Sequence, residues 1–202
     1  MDQRPMDHRD LDASVAEMLR VLGPHTTADW TVPAGTLTWS CRETASHVAH
    51  DLLAYACQLT ARPDDAYLPL DLTVRPSASL AQVLQTVVAC GGLLSAALAT
   101  AEPQARAWHW GPTDPTGFAA MGVAETLVHT HDITSGLGLA WEPPADAAAA
   151  ALSRLFPDAP STAERSAGPG QLLLWCTGRT ALPGLPRRTS WTWRAAVEGA
   201  EG

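Results

Sequence analysis

Apolar residues recur at helical intervals in four long stretches of the chain, and each stretch has a recognisable start or stop. From about Asp7 to Leu22, the positions Leu11, Val15, Met18, Leu19 and Leu22 share one helix face, and Gly23-Pro24 ends the pattern. Ser40-Cys-Arg-Glu43 reads as a capping box, in which the serine hydroxyl and the glutamate side chain satisfy free amides. A second helix is therefore predicted from near Cys41 to about Ala61, ahead of Pro63, with Cys41, Ala45, Val48, Leu52, Ala56 and Leu59 as its apolar stripe. Thr44, His47, Asp51, Tyr55 and Gln58 form a polar stripe beside it. The third helix, Ser79 to Ala99, carries almost no charge and is expected to be deeply buried. The fourth runs from about Gly117 to Gly136.

Four helices of this length joined by substantial loops predict a mainly α protein built on an antiparallel four-helix bundle. The segments 25–39, 64–76 and 102–116 are the connections. Beyond the bundle, Ala145 to Leu155 predicts a fifth helix, while Gln171-Leu-Leu-Leu-Trp-Cys-Thr177 reads as a short strand or a buried extended run and the alternating Thr189-Ser-Trp-Thr-Trp-Arg194 as a second strand. The expected organisation is a bundle domain over 1–140 and a small C-terminal α/β appendage over 141–202.

The formal net charge of -8 excludes a nucleic-acid backbone as the expected partner, because phosphate binding needs a basic surface. Cys41, Cys57, Cys90 and Cys176 are too widely spaced for a redox pair or a four-thiolate site and read as reduced thiols. The polar start Met1-Asp-Gln-Arg-Pro has no signal-peptide core. No window is expected to reach the roughly 20 apolar residues of a membrane span, so a cytoplasmic protein with no membrane partner is expected.

The chemistry is concentrated in Met121-Gly-Val-Ala-Glu125-Thr-Leu-Val-His129-Thr-His-Asp132. Glu125, His129 and Asp132 follow at i, i+4 and i+7 on one helix face, among apolar and small residues. Burying such groups side by side is costly unless something holds them, and a divalent metal is the usual partner. Two imidazoles and a carboxylate suit zinc or a similar borderline ion with water in the open positions. Asp132 is placed behind the ligands, as an acceptor that orients an imidazole. His131 projects away from the face; His47 is the candidate ligand from the second helix, with His50 its competitor further round. The alternative is a neutralised Glu125–His129 pair lining the bundle, with His47 in solvent.

The run Trp39-Ser-Cys-Arg-Glu-Thr-Ala-Ser-His47-Val-Ala-His-Asp51-Leu52, with Glu125-x-x-x-His129-x-x-Asp132 about 75 residues later, resembles the N-terminal domain of the mycothiol-dependent maleylpyruvate isomerase family, part of the DinB-like superfamily of metal-binding four-helix bundles. The segment Leu172 to Arg179 also resembles the C-terminal portion of such proteins. The resemblance implies metal ligands at His47, Glu125 and His129, a divalent metal such as zinc, and a thiol cofactor, mycothiol, whose sulfur adds to a small electrophile for isomerisation or S-transfer. Physical chemistry agrees, since a bound divalent ion lowers a thiol's pKa and the thiolate is the nucleophile. Residues 141–202 are short for the second domain of a full isomerase, so maleylpyruvate itself is not the expected substrate.

Further candidates surround this set. Asp51 and Tyr55 stand one and two turns beyond His47; Trp30 with Trp39, and Trp108 with Trp110, wall a pocket or anchor the loops; His109 is a candidate acid or base. Arg179 either forks onto a substrate carboxylate or ties down the appendage. The expected partners are a small-molecule substrate and a thiol, and the expected assembly, if any, is a homodimer. Competing readings are a metal-assisted hydrolase or lyase without thiol, and a non-catalytic DinB-like binding protein.

Overall fold

The computed structural model describes residues 4–197. The first three residues of the polar N-terminal stretch lie outside that range. The elements are α1 (His8–Leu22), α2 (Cys41–Ala61), α3 (Leu80–Thr100), β1 (Ala107–Trp108), β2 (Pro112–Thr113), α4 (Pro115–Gly136), α5 (Ala145–Leu155) and α6 (Ser161–Cys176). The fold is thus mainly helical, six helices with bundle-like packing and one small hairpin.

Local chemistry sets the helix starts. The α1 N-cap is Asp7, whose carboxylate accepts from the Arg9 amide while Asp10 returns a bond to the cap. The capping box at Ser40 and Glu43 opens α2. Ser79 and Gln82 form an equivalent box for α3, and Asp114 caps α4 with Pro115 at its first position.

In the bundle α2 packs on α3 and α4, and α1 packs on the same two helices, so α1 and α2 face each other across a diagonal. The long connections after α1 and α3 cross those diagonals and leave α2 and α4 as neighbours. Small residues let α4 sit at the centre: a Cβ on Gly122 would stand 3.0 Å from Leu11 and Leu94 and 3.4 Å from Leu52, side chains of α1, α3 and α2. Every residue of α4 from Gly117 to Thr130 is buried.

Several expectations are corrected. Helix α3 is a flank rather than a deeply buried element: Val83, Leu84, Val87, Cys90, Leu94 and Leu98 face inward, but Val88 and Leu93 are exposed. By length and composition alone Leu80–Thr100 is also apolar enough to cross a membrane, contrary to the expectation that no window would qualify; 39% of that window is buried inside the protein. The run Gln171 to Cys176 is helical, the second half of α6. A continuous apolar run does not distinguish a buried helix from a buried strand. Here Gly168, at φ +66°, breaks the helix and Pro169 restarts it.

Residues 189–194 form no strand; their extended chain is held by the Arg194 amide donating to the Leu155 carbonyl, with a single bridge from Ala196 to Thr113. The two-stranded element lies instead in the aromatic segment read as irregular, where β1 and β2 pair antiparallel. The C-terminal region is therefore α5 and α6 with an extended arm, α5 resting on α4 and α6 on α5.

The end of α4 is fixed by close approach. A Cβ at Gly136 would collide with the Pro33 carbonyl oxygen and lie 2.7 Å from the Cys41 sulfur. Gly136→Ala is expected to lower stability by about 1–3 kcal/mol in urea unfolding, through forced displacement of the 33–41 segment. A change under about 0.5 kcal/mol, the size of an ordinary surface substitution, would contradict that packing.

Candidate metal centre

Glu125 and His129 stand one turn apart on the buried face of α4, and the Glu125 Oε2 lies 3.0 Å from His129 Nε2. His47 reaches in from α2, its Nε2 3.9 Å from the same carboxylate oxygen. One ligand atom from each of the three residues fits within a 4.8 Å span. His47 is half-buried, with its ring edge-on to His129 at 5.0 Å and tilted against Trp39 at 4.8 Å. The expected triad is assembled in space, and it can hold a metal.

Behind the triad runs a chain of charged groups. His129 Nδ1 is 2.9 Å from Asp132 Oδ2. Arg179, delivered by the chain just after α6, donates through Nη2 to that oxygen at 2.9 Å and through Nε to both carboxylate oxygens at 3.3 Å. Its Nη1 donates to the Thr177 carbonyl at 2.8 Å. The guanidinium fork is thus committed to Asp132 and not open to a substrate carboxylate, which makes Arg179 the tie between the C-terminal helices and α4. Asp132, only 1% exposed, is fixed on both sides. Partners of this kind hold a ligand imidazole's tautomer and ring orientation.

The protonation pattern follows from this packing. Burial opposes charge on His129, yet the hydrogen bonds to Asp132 and Glu125 and their charges outweigh it, raising its pKa to about 9. Burial lowers His47 to about 4. Asp51, 3.2 Å from His47 Nε2, is raised to about 8 by burial and by the neighbouring Glu125 charge. Tyr55 is buried and is pushed well above its ordinary value by burial and by the charges of Glu125 and Asp51. The centre therefore holds one proton on His129 against the Glu125 charge, and a cation in the same place would do the same work with both imidazoles neutral.

The remaining candidates divide. Trp39 stands over His47 and is 44% exposed, at the open side of the centre. Trp30 is a buried packing anchor whose indole donates to the His25 carbonyl. Trp108 and Trp110 do not touch the triad; they pack on each other and on Tyr67. His50 accepts from the Leu72 amide through Nδ1 and so serves the 62–79 connection. His131 lies beside Ser135 on the far side of α4, as its wheel position implied. His109 is buried and packs on Tyr55 and Tyr67. Tyr67 was missed, because it sits in an unpatterned loop and meets this region only through the fold.

The family model described as Mycothiol maleylpyruvate isomerase N-terminal domain matches residues 11–134. The chain belongs to that family. The matched span runs from within α1 to near the end of α4 and contains His47, Glu125 and His129. Searches of the curated proteins and of the solved structures found no match.

Two outcomes test this geometry. Asp132→Asn keeps the side chain's size but removes the charge that holds His129 and Arg179, and zinc affinity measured by chelator competition should fall about 10- to 100-fold; unchanged affinity would remove Asp132 from the centre. The second concerns the metal-free protein. The raised His129 stabilises fully below its ordinary pKa of 6.5, and that stability is lost as pH rises towards 9. The raised Asp51 loses stability as pH rises from about 4 to 8, and the lowered His47 loses it as pH falls from 6.5 to about 4. The Asp51 and His47 effects oppose each other below pH 6.5, where the lowered His109 and His131 add a further loss as pH falls, so melting in chelator should peak near pH 6.5 and fall from there to about 9. A melting temperature that climbs over that upper range would contradict the assignment.

Proposed function

We propose that this chain is a metal-dependent enzyme that uses a low-molecular-weight thiol of the mycothiol class to isomerise, or transfer sulfur to, a small electrophile. The observation that carries the reading is the convergence of two imidazoles and a carboxylate from adjacent helices within 4.8 Å, in a chain whose family is named for a mycothiol-dependent isomerase. The donor set fits a borderline divalent ion such as zinc, with His47, Glu125 and His129 as its holders and room for outside ligands. When bound, such an ion lowers the pKa of a coordinating thiol and keeps it as thiolate at neutral pH.

The chain's own groups supply the rest. Asp132, braced by Arg179, keeps the Nδ1 proton of His129 in place so that Nε2 faces the centre. His47, held neutral by burial, offers a lone pair without first losing a proton. Asp51, 3.2 Å from His47 Nε2 and beside Glu125, is placed to give a proton to a carbon made basic by sulfur addition, or to take one back. Isomerisation would release the thiolate after rotation about the former double bond; transfer would retain the new carbon–sulfur bond and keep the proton on the neighbouring carbon. The cytoplasmic setting expected from the sequence is the compartment in which such a thiol pool would be met.

Substitution with Co²⁺ followed by thiol titration tests the proposal. Addition of mycothiol, or of a simpler thiol at higher concentration, should produce a sulfur-to-cobalt charge-transfer band in the near ultraviolet that is absent in His129→Ala. A cobalt-loaded protein whose spectrum no thiol perturbs would overturn the thiol chemistry and favour a metal-assisted hydrolase or lyase.

A further inference from the structure

Every one of the 13 basic side chains is an arginine, in a chain whose formal net charge is -8. Three of them, Arg179, Arg187 and Arg188, line one cavity of about 420 Å³ between the 25–39 connection and the extended arm that follows α6. Thr36 and Leu37 form one side and Trp191 the other, and among the described residues no acidic side chain lines it. Elsewhere Arg4, Arg20, Arg154 and Arg194 each have a carboxylate oxygen within 2.8 Å. Arg179 is spent in the same way on Asp132, at 2.9 Å, so it forms the floor of the cavity and separates it from the metal centre. Arg187 and Arg188 have no carboxylate partner among the described residues. Two unneutralised guanidinium groups turned on one space repel each other, and an anion between them relieves that cost.

The local backbone holds both groups in place. Gly178 is buried and has φ +72°; a Cβ there would stand 2.8 Å from the Arg188 carbonyl oxygen and 3.2 Å from the Trp191 ring. Glycine thus lets the arm pass close enough for the Gly178 carbonyl to accept from Arg187 Nε, while Arg187 Nη2 donates to the Thr36 hydroxyl at 2.8 Å. Arg188 lies over the Trp175 ring at 5.1 Å, and its one hydrogen bond is a long one, Nη1 to the Cys176 carbonyl at 3.5 Å. These contacts fix the two side chains but leave most of their donors unspent. Arg187 Nη1 and the Nε and Nη2 of Arg188 have no acceptor among the described residues. Thr36, which accepts from Arg187, still has its own hydroxyl proton to give.

We propose that this cavity binds a small organic oxyanion, with Arg187 and Arg188 on its carboxylate or phosphate group and its body against Trp191 and Leu37. Guanidinium forks match the planar carboxylate and the phosphate oxygens in geometry as well as in charge. In a chain with an acidic balance, a local concentration of positive charge draws an anion that the rest of the surface repels. Side chains already held by Gly178, Thr36 and Trp175 lose little freedom on binding. The volume suits a ring with one charged substituent, and the indole of Trp191, 38% exposed, offers a flat apolar wall that a bare inorganic ion would leave wet. The site is independent of the thiol reading, because the closed Arg179–Asp132 pair stands between it and His129.

Benzoate and phenyl phosphate, with benzamide as the uncharged counterpart, test the assignment by titration calorimetry of the full chain, metal-free so that zinc takes up no anion, and at low ionic strength. At least one of the two anions should bind one per chain at millimolar concentration, about tenfold or more tighter than benzamide, the scale of a charge-assisted hydrogen bond. Added salt should erode the preference. The tighter of the two shows whether the site takes a carboxylate or a phosphate ester. Arg187→Gln and Arg188→Gln should each weaken the anion several-fold, and together bring it within about twofold of benzamide. Arg9→Gln, an exposed arginine of α1, should leave binding as it was. Nitrogen-15 NMR of the parent needs no variant: the anion should shift the Arg188 Nε–H and Trp191 indole N–H signals saturably. Equal affinity for all three probes, a preference that survives in the double variant, Arg188 and Trp191 signals that stay still, or no binding of either anion would overturn the assignment.

Discussion

A carboxylate and an imidazole buried on a helix that is sealed on every side are the constraint around which this fold is arranged. Helix α4 is enclosed without interruption from Gly117 to Thr130, and Glu125 and His129 sit inside that stretch. Charges in such a place are unfavourable by several kcal/mol each unless they are paired and hydrogen-bonded. The protein meets the requirement with a line of partners drawn from three parts of the chain: His47 and Asp51 from α2 on one side, Asp132 from the next turn of α4, and Arg179 from beyond α6 on the other. The C-terminal segment is thereby bound to the bundle by a buried ion pair that also sets the orientation of His129. Stability and the centre's chemistry depend on the same contacts.

Helix α2 gives one face to two tasks. Its apolar stripe packs on α3, while the polar stripe beside it runs from the triad at His47, through Asp51 and Tyr55, to Gln58, whose Nε2 donates to the Ala66 and Trp108 carbonyls. One helix thus runs from the residues that could hold a metal to the wall of a cavity under the hairpin.

Much of the bundle was legible because its signals are local. The capping box at Ser40 and the Gly23-Pro24 stop fix helix limits within a few residues of the sequence. Glu125, His129 and Asp132 could be placed on one face because helical spacing is rigid, and His131 could be excluded for the same reason. What could not be read was pairing between distant segments. The Leu172–Leu174 run has no periodicity of its own, and only its neighbours decide that it is helical. Arg179 finds Asp132 across 47 positions, and Tyr67 meets His109 across a loop with no pattern. The resemblance supplied the link between His47 and the α4 residues, and the structure supplied the diagonal crossings that make α2 and α4 neighbours.

X-ray absorption at the zinc edge on the metal-loaded, thiol-free protein tests the central claim most directly. The account predicts one zinc per chain with nitrogen and oxygen scatterers at roughly 2.0–2.1 Å, two of them imidazoles, and no sulfur at about 2.3 Å. A sulfur shell in the absence of added thiol would assign the metal to a cysteine, and an unchanged spectrum in His47→Ala would place it elsewhere on the chain. Either result would contradict the centre described here.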